Sequence, residues 1–564
     1  MQVWQHGRLR DVRRFVISLA TALLALLAVP TPSAAASVTD PACSALPRSR
    51  WAAATGVTEP HGTLRVFAIQ WKQDISRVAS YATFKQAVRC TIEEQVVPHE
   101  RPGEPTLVVF DEDIGLMTAA AGIRGTELRA QLNGPLRAPL GDTAPAPAGA
   151  ALLIGGLTAA YAPQIAAYAA RFGPVDPRKA GLLAATDTFV RAFNTTFSEV
   201  AKELGIYVLA CNSQANDYRE SHVASEVALF GDPSEPGTAY VATTPRVTNT
   251  AYVWGPNDIH PDAPEGMRNL LSRTEKVPLT DTESTLLALD PGPSTGAAGL
   301  ANAQPVTIAG WRLGVGISLP AFVYGYPFGR RPAGFAPCAD TSTTWMACLD
   351  HLGADVLLQP DANPGRWTGP ASQDPWQPLE WMSSAWRAVA DPTVHFRYAV
   401  NPMMVGNLAD LPFDGQSAIL QRGAHQPPAS YIGDGSLQPE DNPADAVYAG
   451  NKPQFLALTP WVVPDADRTS LRAEGGRLAP GSGDPQDDEY LETAIYADLV
   501  PGPTVPDKPA RAPAAAPGVR APGGLAATGA TPGAGLAALA LVLAGVGLLT
   551  IRPRLTRRRA FPST

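Results

Sequence analysis

A chain of 564 residues has room for one large or several small domains, and a hydrophobic share of 45% supplies a buried core, which excludes a disordered protein. Lysine and arginine total 44 against 52 acidic residues, a formal charge of −8. With no basic stripe interleaved with aromatics, this balance excludes nucleic acid as a partner. Lysines are only seven of the basic residues, so a lysine inside a motif is more informative here than in an average chain.

The N-terminus carries Arg8, Arg10, Arg13 and Arg14, then an apolar run over 15–29 and small residues over 33–36. This layout predicts a secretory signal peptide over 1–36, cut after Ala34-x-Ala36. A retained anchor is the alternative, but the apolar run is short for one. Arg13-Arg14 does not choose an export route. Strand-like runs follow at 64–70 (LRVFAIQ) and 106–110 (TLVVF), with a helix predicted over 83–97. A stretch rich in alanine, glycine and proline at 125–185 reads as an insertion, with an apolar helix over 159–172 that forms either a lid or a surface-packed hairpin. Next come a helix over 189–204, a strand over 205–210, and strands at 250–254, 313–318, 356–359 and 396–401. A second insertion, 321–345, is rich in proline and glycine. Strands alternating with helices predict an α/β domain over about 60–500.

From 501 to 532 proline and alanine dominate, predicting an extended linker. Residues 533–551 are uncharged and apolar, and at about 1.5 Å per residue such a helix nearly spans a bilayer core. Arg552, Arg554, Arg557, Arg558 and Arg559 follow and make 552–564 a cytoplasmic tail, leaving the body outside the cell. Just before the helix, Leu525-Ala526-Ala527-Thr528-Gly529 resembles the LAxTG signal that a sortase cuts in actinobacterial cell-wall proteins. Motif, helix and basic tail stand in the required order, so the expected location is the cell wall or membrane, with wall anchoring favoured over membrane retention.

The cysteines are Cys43, Cys90, Cys211, Cys338 and Cys348. An odd number in an oxidising compartment leaves at least one unpaired in a monomer, and Cys338 with Cys348 is the expected local disulfide. There is no CxxC pair, and the histidines lack ligand spacing, so neither a metal nor another cofactor is expected.

Four stretches carry candidate chemistry. Residues 106–114 (TLVVFDEDI) end a strand on Glu112; 272–283 (SRTEKVPLTDTE) hold Lys276 and Glu283; 313–322 (LGVGISLPAF) hold Ser318; 351–364 read HLGADVLLQPDANP. With 380–386, 401–404, 413–419 (FDGQSAI) and a closing strand over 494–499, their order is similar to that of the nitrilase, or carbon-nitrogen hydrolase, superfamily over most of 63–430. That resemblance implies a four-layer αββα sandwich. It makes Glu112 the general base, with Asp111 where the family has proline. It also puts Lys276 at the oxyanion, Glu283 as the glutamate orienting that lysine, and Ser318 where the nucleophilic cysteine belongs. The implied partner is a small amide or acyl compound, and relatives of this fold commonly pair into homodimers.

Ser318 leaves three readings open. A thiol titrates near pH 8.5 and yields its proton readily, whereas a hydroxyl needs a better-aligned base. The protein is then a degenerate, ligand-binding or structural member, a serine-based amidase or esterase, or an enzyme whose nucleophile is Cys338 or Cys348. An acyltransferase similar to nitrilase-like lipoprotein N-acylating enzymes is less favoured, because those have several membrane spans and this chain offers one. Gly292-Pro293-Ser294-Thr295-Gly296 matches GxSxG, but Pro293 and the glycine-rich surroundings argue against a nucleophile elbow there.

Overall fold

A computed structural model describes residues 43, 51–133, 148–364, 377–408, 411–424, 454–460 and 490–501. Its strands in chain order are β1 (Thr55–Val57), β2 (Leu64–Gln70), β3 (Thr106–Val109), β4 (Tyr207–Gln214), β5 (Tyr218–Ser221), β6 (Ala239–Ala242), β7 (Thr248–Trp254), β8 (Leu270–Glu275), β9 (Val306–Ile308) and β10 (Trp311–Val315). They continue as β11 (Val356–Leu358), β12 (Tyr398–Asn401), β13 (Gly406–Leu408), β14 (Leu411–Phe413), β15 (Ala418–Gln421), β16 (Phe455–Leu458) and β17 (Thr493–Leu499). One sheet has the order β1-β17-β2-β3-β4-β7-β8 and a second β16-β15-β12-β11-β10-β9; β5-β6 and β13-β14 are two-stranded hairpins. Both large sheets have a parallel centre, β2-β3-β4 in the first and β10-β11-β12 in the second.

Alternation along the strands builds the layers. Side chains of a strand point to opposite faces in turn, and strands buried on both faces read as unbroken apolar runs. In β2 and β3, Val66, Ala68, Leu107 and Val109 face one core, and Phe67, Ile69, Val108 and Phe110 another. The first core also contains Leu313 and Val315 of β10, Val356 and Leu358 of β11 and Val400 of β12, so the two sheets pack face to face. The outer face of the first sheet is covered by the helix Tyr81–Gln95, through Phe84, Val88 and Ile92, and by Phe193, Phe197 and Val200. The outer face of the second is covered by Trp345, Met346 and Leu349 of the helix Thr341–His351, and by Trp386 and Val389 of the helix Gln377–Ala390. The result is the helix-sheet-sheet-helix layering that the motif order implied.

Several boundaries move for identifiable reasons. The helix expected over 189–204 begins earlier, at Thr186, and includes a π-helical turn at Val190–Asn194 before the α-helix Thr195–Leu204. Gly205, at φ 71°, closes that helix in the left-handed conformation that glycine adopts without strain, so β4 starts at Tyr207 and runs on to Gln214. The strand expected over 313–318 begins earlier, at Trp311, and its regular part ends at Val315. The first insertion forms the helices Thr126–Asn133, Ala148–Ala160, Ala162–Phe172 and Pro177–Ala184. Leu128, Leu153, Leu157, Tyr161, Tyr168 and Leu183 pack it into the helical layer of the first sheet. Tyr161, at its bend, donates its hydroxyl to the Ala119 carbonyl at 2.9 Å. Near the end of the second insertion, Cys338 and Cys348 form the expected disulfide, with Cα atoms 4.8 Å apart.

Among the described residues no single helix is long and apolar enough to cross a membrane. The expected signal peptide, the LAATG motif, the helix over 533–551 and the basic tail lie outside the described residues.

The closing strand is tied in by a buried ion pair. Glu492, next to β17, accepts hydrogen bonds from Arg77 Nη1 at 2.7 Å and Thr91 Oγ1 at 3.2 Å, while the Arg77 guanidinium lies 4.6 Å over the Trp71 ring. Removing one partner of a buried pair leaves the other charge uncompensated. Glu492→Ala is therefore expected to cost about 3–5 kcal/mol, read as a lower urea midpoint at unchanged slope. An unchanged midpoint would show that Arg77 finds another partner.

Candidate functional site

The chain ends of the parallel strands converge at one edge of the sandwich, where α/β sheets bind ligands. Leaving β3, the chain passes Phe110, whose N–H continues the ladder to the Leu209 carbonyl at 2.9 Å, and reaches Asp111 and Glu112. Lys276 directly follows β8, and its N–H donates to the Asn249 carbonyl on β7 at 2.8 Å. Glu283 lies in the turn Thr282–Leu286 and is fixed by Thr280, whose N–H and Oγ1 donate to its Oε2 at 2.9 and 2.8 Å.

These elements bring four buried side chains together. Lys276 Nζ donates to Glu112 Oε1 at 2.5 Å and lies 2.7 Å from Glu283 Oε2. Asn249 Nδ2 donates to both carboxylates, to Glu112 Oε1 at 2.8 Å and to Glu283 Oε1 at 2.7 Å. The other Glu112 oxygen accepts the Ala362 N–H at 3.2 Å. An ammonium has three donors, and among the described residues only two of those on Lys276 are engaged, leaving one for a ligand oxygen.

Burial and charge divide the proton affinities. Burial pushes the Glu112 carboxyl up; Lys276 opposes this and the Glu283 charge adds to it, and the net shift is upward. Burial also opposes ionisation of Glu283, but the charge and hydrogen bond of Lys276, with donors from Thr280 and Asn249, hold that carboxyl below its usual range. The Lys276 ammonium is disfavoured by burial and more than restored by the two glutamates, so it stays charged well above its ordinary range. One glutamate is a strong proton acceptor and the other a fixed counter-ion. Burial also raises Asp111, and it raises the half-buried Asp113, where Glu112 and Glu283 add to the effect.

Ser318 lies beyond the end of β10 in the second sheet. The Gly316 N–H donates to the Leu358 carbonyl at 2.9 Å and the Ser318 N–H to the Pro360 carbonyl at 3.1 Å, so the pairing with β11 extends past both strands. At Ser318 the backbone turns sharply, with φ 56° and ψ −112°, into the 3-10 turn Leu319–Phe322, and the Ala321 N–H closes back on the Ser318 carbonyl at 2.9 Å. A positive φ outside the glycines costs of order 1–3 kcal/mol and concentrates at functional sites. A strand, a strained residue and a helical turn in succession have the backbone geometry of an elbow. The serine is 1% exposed, and its hydroxyl makes no capping bond. The same short segment connects it to Glu112: the Pro360 carbonyl accepts from the Ser318 N–H, and the Ala362 N–H donates to Glu112.

Between those two contacts stands Asp361, which sequence reasoning did not single out. Asn401 Nδ2 and Gln359 Nε2 donate to its Oδ2 at 2.6 and 2.9 Å, while its buried Oδ1 has no partner. Burial, then the charge of Glu112, push its carboxyl up to about 8. Asn249 was also missed. It stands between Thr248 and Thr250 at the polar start of β7, so nothing in the sequence set it apart, and Asp361 stood unremarked inside the 351–364 stretch.

The cysteine alternatives fail. Cys338 and Cys348 are bonded to each other and offer no thiol, which corrects the reading that one of them is the nucleophile. Cys211 is free but packed between the sheets, where burial keeps its thiol protonated. Ser294 of the GxSxG match lies in a loop before the helix Gly296–Asn302, with no strand leading into it. Among the described residues no group of acidic, histidine or cysteine side chains could hold a metal ion.

Comparisons with known proteins add context. No family model matches the chain, and no curated protein matches it. Among solved structures, it is similar to a mutant of the amidase from Nesterenkonia sp. with acrylamide added at the active-site cysteine, at 13% identity over 64% of this chain and 85% of that one, with a TM-score of 0.30. It is also similar to a carbon-nitrogen hydrolase from Helicobacter pylori, at 12% identity over 77% of this chain and 88% of that one, with a TM-score of 0.35. Likeness at these scores carries no argument, and the functional reading stands on the site itself.

The shared ammonium gives a pH-dependent expectation. In the wild type, the lowered Glu283 contributes stability above the usual carboxylate range, lost as pH falls through its lowered value. In Lys276→Met both glutamates are buried without a cation, their proton affinities rise, and the destabilisation grows as pH rises. The loss in urea unfolding is expected to be about 3–5 kcal/mol at pH 8 and clearly smaller at pH 5. Equal losses at both pH values would mean that Lys276 does not neutralise these carboxylates.

Proposed function

We propose that this protein is a carbon-nitrogen hydrolase of the nitrilase type that works through a serine. The observation that carries the reading is the strained elbow at Ser318, joined through Pro360 and Ala362 to a buried glutamate that already holds an ammonium. In the proposed reaction Ser318 Oγ bonds to the carbonyl carbon of an amide while Glu112 takes the hydroxyl proton. The carbonyl electrons move onto oxygen, and the third N–H of Lys276 supports that oxyanion. Glu112 passes its proton to the leaving nitrogen as the C–N bond breaks, leaving an acyl-serine. Water, deprotonated by Glu112, then attacks the ester, and Ser318 leaves and is reprotonated.

The chemical difficulty is the hydroxyl, a far weaker acid than a thiol. Raising the proton affinity of Glu112 by burial narrows that gap, and the transferred proton is held in a dry site beside a fixed cation. Glu283 and Asn249 are positioning residues that keep Lys276 and Glu112 in register.

On the sequence signals alone we also propose that the domain is exported and held at the cell envelope by the residues after 500. If Thr528 is the sorting site, Thr528→Ala should move the protein from the wall to the membrane fraction, and an unchanged distribution would remove wall linkage.

The catalytic reading is tested with the full chain and a panel of small amides. Turnover is expected to vanish in Ser318→Ala and to fall by about 10²–10⁴-fold in Glu112→Gln. Because ionised Glu112 is the base, kcat/KM on a neutral amide should decline as pH drops through a value above the ordinary carboxylate range. Wild-type inactivity combined with turnover by Ser318→Cys would show a preserved pocket without a working nucleophile, and would overturn the serine mechanism.

A further inference from the structure

Both arms of the turn at Ser318 hang on two consecutive residues of the helix Thr341–His351. Before the serine, the Val315 carbonyl accepts the Trp345 indole N–H at 2.9 Å; after it, the Val323 carbonyl accepts the Met346 backbone N–H at 2.9 Å. Met346 donates outward because the helix is kinked just before it: Thr344 leaves helical geometry, at φ −141° and ψ 23°. The kink is itself held, with Thr344 Oγ1 at 2.6 and 2.8 Å from the Pro337 and Asp340 carbonyl oxygens. Ser318 occupies a costly positive-φ conformation, so its geometry depends on such supports.

The Cys338–Cys348 disulfide closes a ring around this kink. Cys348 is buried in the body of the helix, two residues beyond Met346, and Cys338 stands in the loop before it, next to the Pro337 carbonyl that Thr344 approaches. The bond spans a sequence separation of 10, and the kink and both anchors of the turn lie inside the ring. The start of the helix is pinned separately, by the Thr341 N–H on the Ser294 carbonyl at 2.9 Å. Opening the ring therefore loosens the kink and the turn it carries while the helix keeps its place.

We infer that this disulfide is a positioning device for the proposed nucleophile: Ser318 is held for attack in the oxidised chain and loses that geometry when the bond is reduced. This rests on the serine-hydrolase reading for the reaction, but the placement of the turn can be measured without turnover. Cys338 is half-buried in a largely exposed loop and Cys348 is fully buried, so a thiol reaches the bond at Cys338. With a dithiol, one thiolate bonds to Cys338 Sγ as the S–S bond breaks, and Cys348 leaves as a thiolate and takes a proton. The second thiol then displaces Cys338, which is protonated in turn, and the reductant closes its own disulfide.

Cys43 and Cys90 are disulfide-bonded as well, so the bond is removed selectively, by Cys338→Ala with Cys348→Ala in the full chain. On whichever small amide the wild type hydrolyses fastest, kcat is expected to fall by about 10–10²-fold with KM little changed. Amide hydrogen exchange over 313–326 should rise, while that over 64–70 in the first sheet stays as in the wild type. If the double variant does not fold, the folded wild type reduced with dithiothreitol takes its place, the opened bond being identified by thiol alkylation and mass spectrometry. A kcat equal to that of the wild type, or unchanged exchange over 313–326, would overturn the inference and leave the hydrolase reading intact. Exchange rising equally across the whole domain would also overturn it, since the bond would then stabilise the fold without placing the turn. If the wild type turns nothing over, the hydrolase reading fails by itself and exchange alone decides: a rise confined to 313–326 supports placement of Ser318 by the disulfide, and no rise overturns it.

Discussion

The site depends on one ammonium shared between two carboxylates. Lys276 cannot be buried alone, and neither can Glu112 or Glu283, so each makes the others tolerable. The arrangement holds because the register of the first sheet fixes it. β7 and β8 pair Thr250 with Glu275, which sets Asn249 opposite Lys276, and β4 pairs Ser213 with Asn249 on the other side. A slip of one residue would turn Asn249 to the opposite face and remove the donor common to Glu112 and Glu283. The length and pairing of three strands are in this sense properties of the site.

The second sheet supplies a different kind of constraint. Ser318 sits in a backbone conformation that a serine adopts at a cost, and that cost is offset by closed hydrogen bonds on either side, to Pro360 before the turn and from Ala321 after it. Trp345 reinforces the turn from the helical layer by donating its indole N–H to the Val315 carbonyl at 2.9 Å. The Cys338–Cys348 bond ties the loop before the helix Thr341–His351 to a residue near its far end, so the turn at Ser318 is backed by a fixed element.

The strands were legible because burial on both faces leaves continuous apolar runs, as in LRVFAIQ and TLVVF. Glu112, Lys276 and Glu283 were legible because motif order placed them, and the structure brings all three into contact. Ser318 was legible as a position but not as an elbow: the run up to it reads as strand, and only the pairing with β11 shows where the chain turns. Asn249 and Asp361 were not legible. Each acts through a partner distant in sequence, at separations of 137 residues to Glu112 and 40 to Asn401, and a lone buried amide or acid carries no periodic signal. The burial of the first insertion was hidden for a similar reason, since an alanine-rich helix packs against a core or stands free of it with the same composition.

Burial and charge also divide the carboxyls of the site. Glu112 accepts a proton readily because burial and the Glu283 charge together outweigh Lys276, whereas Lys276, Thr280 and Asn249 hold Glu283 ionised. In the proposed serine mechanism that division matters more than it would for a thiol, since a hydroxyl needs the better base. Oε1 of Glu112 is taken by Lys276 and Asn249, while among the described residues Oε2 accepts a single bond, from the Ala362 N–H, so Oε2 is the oxygen with room for a transferred proton.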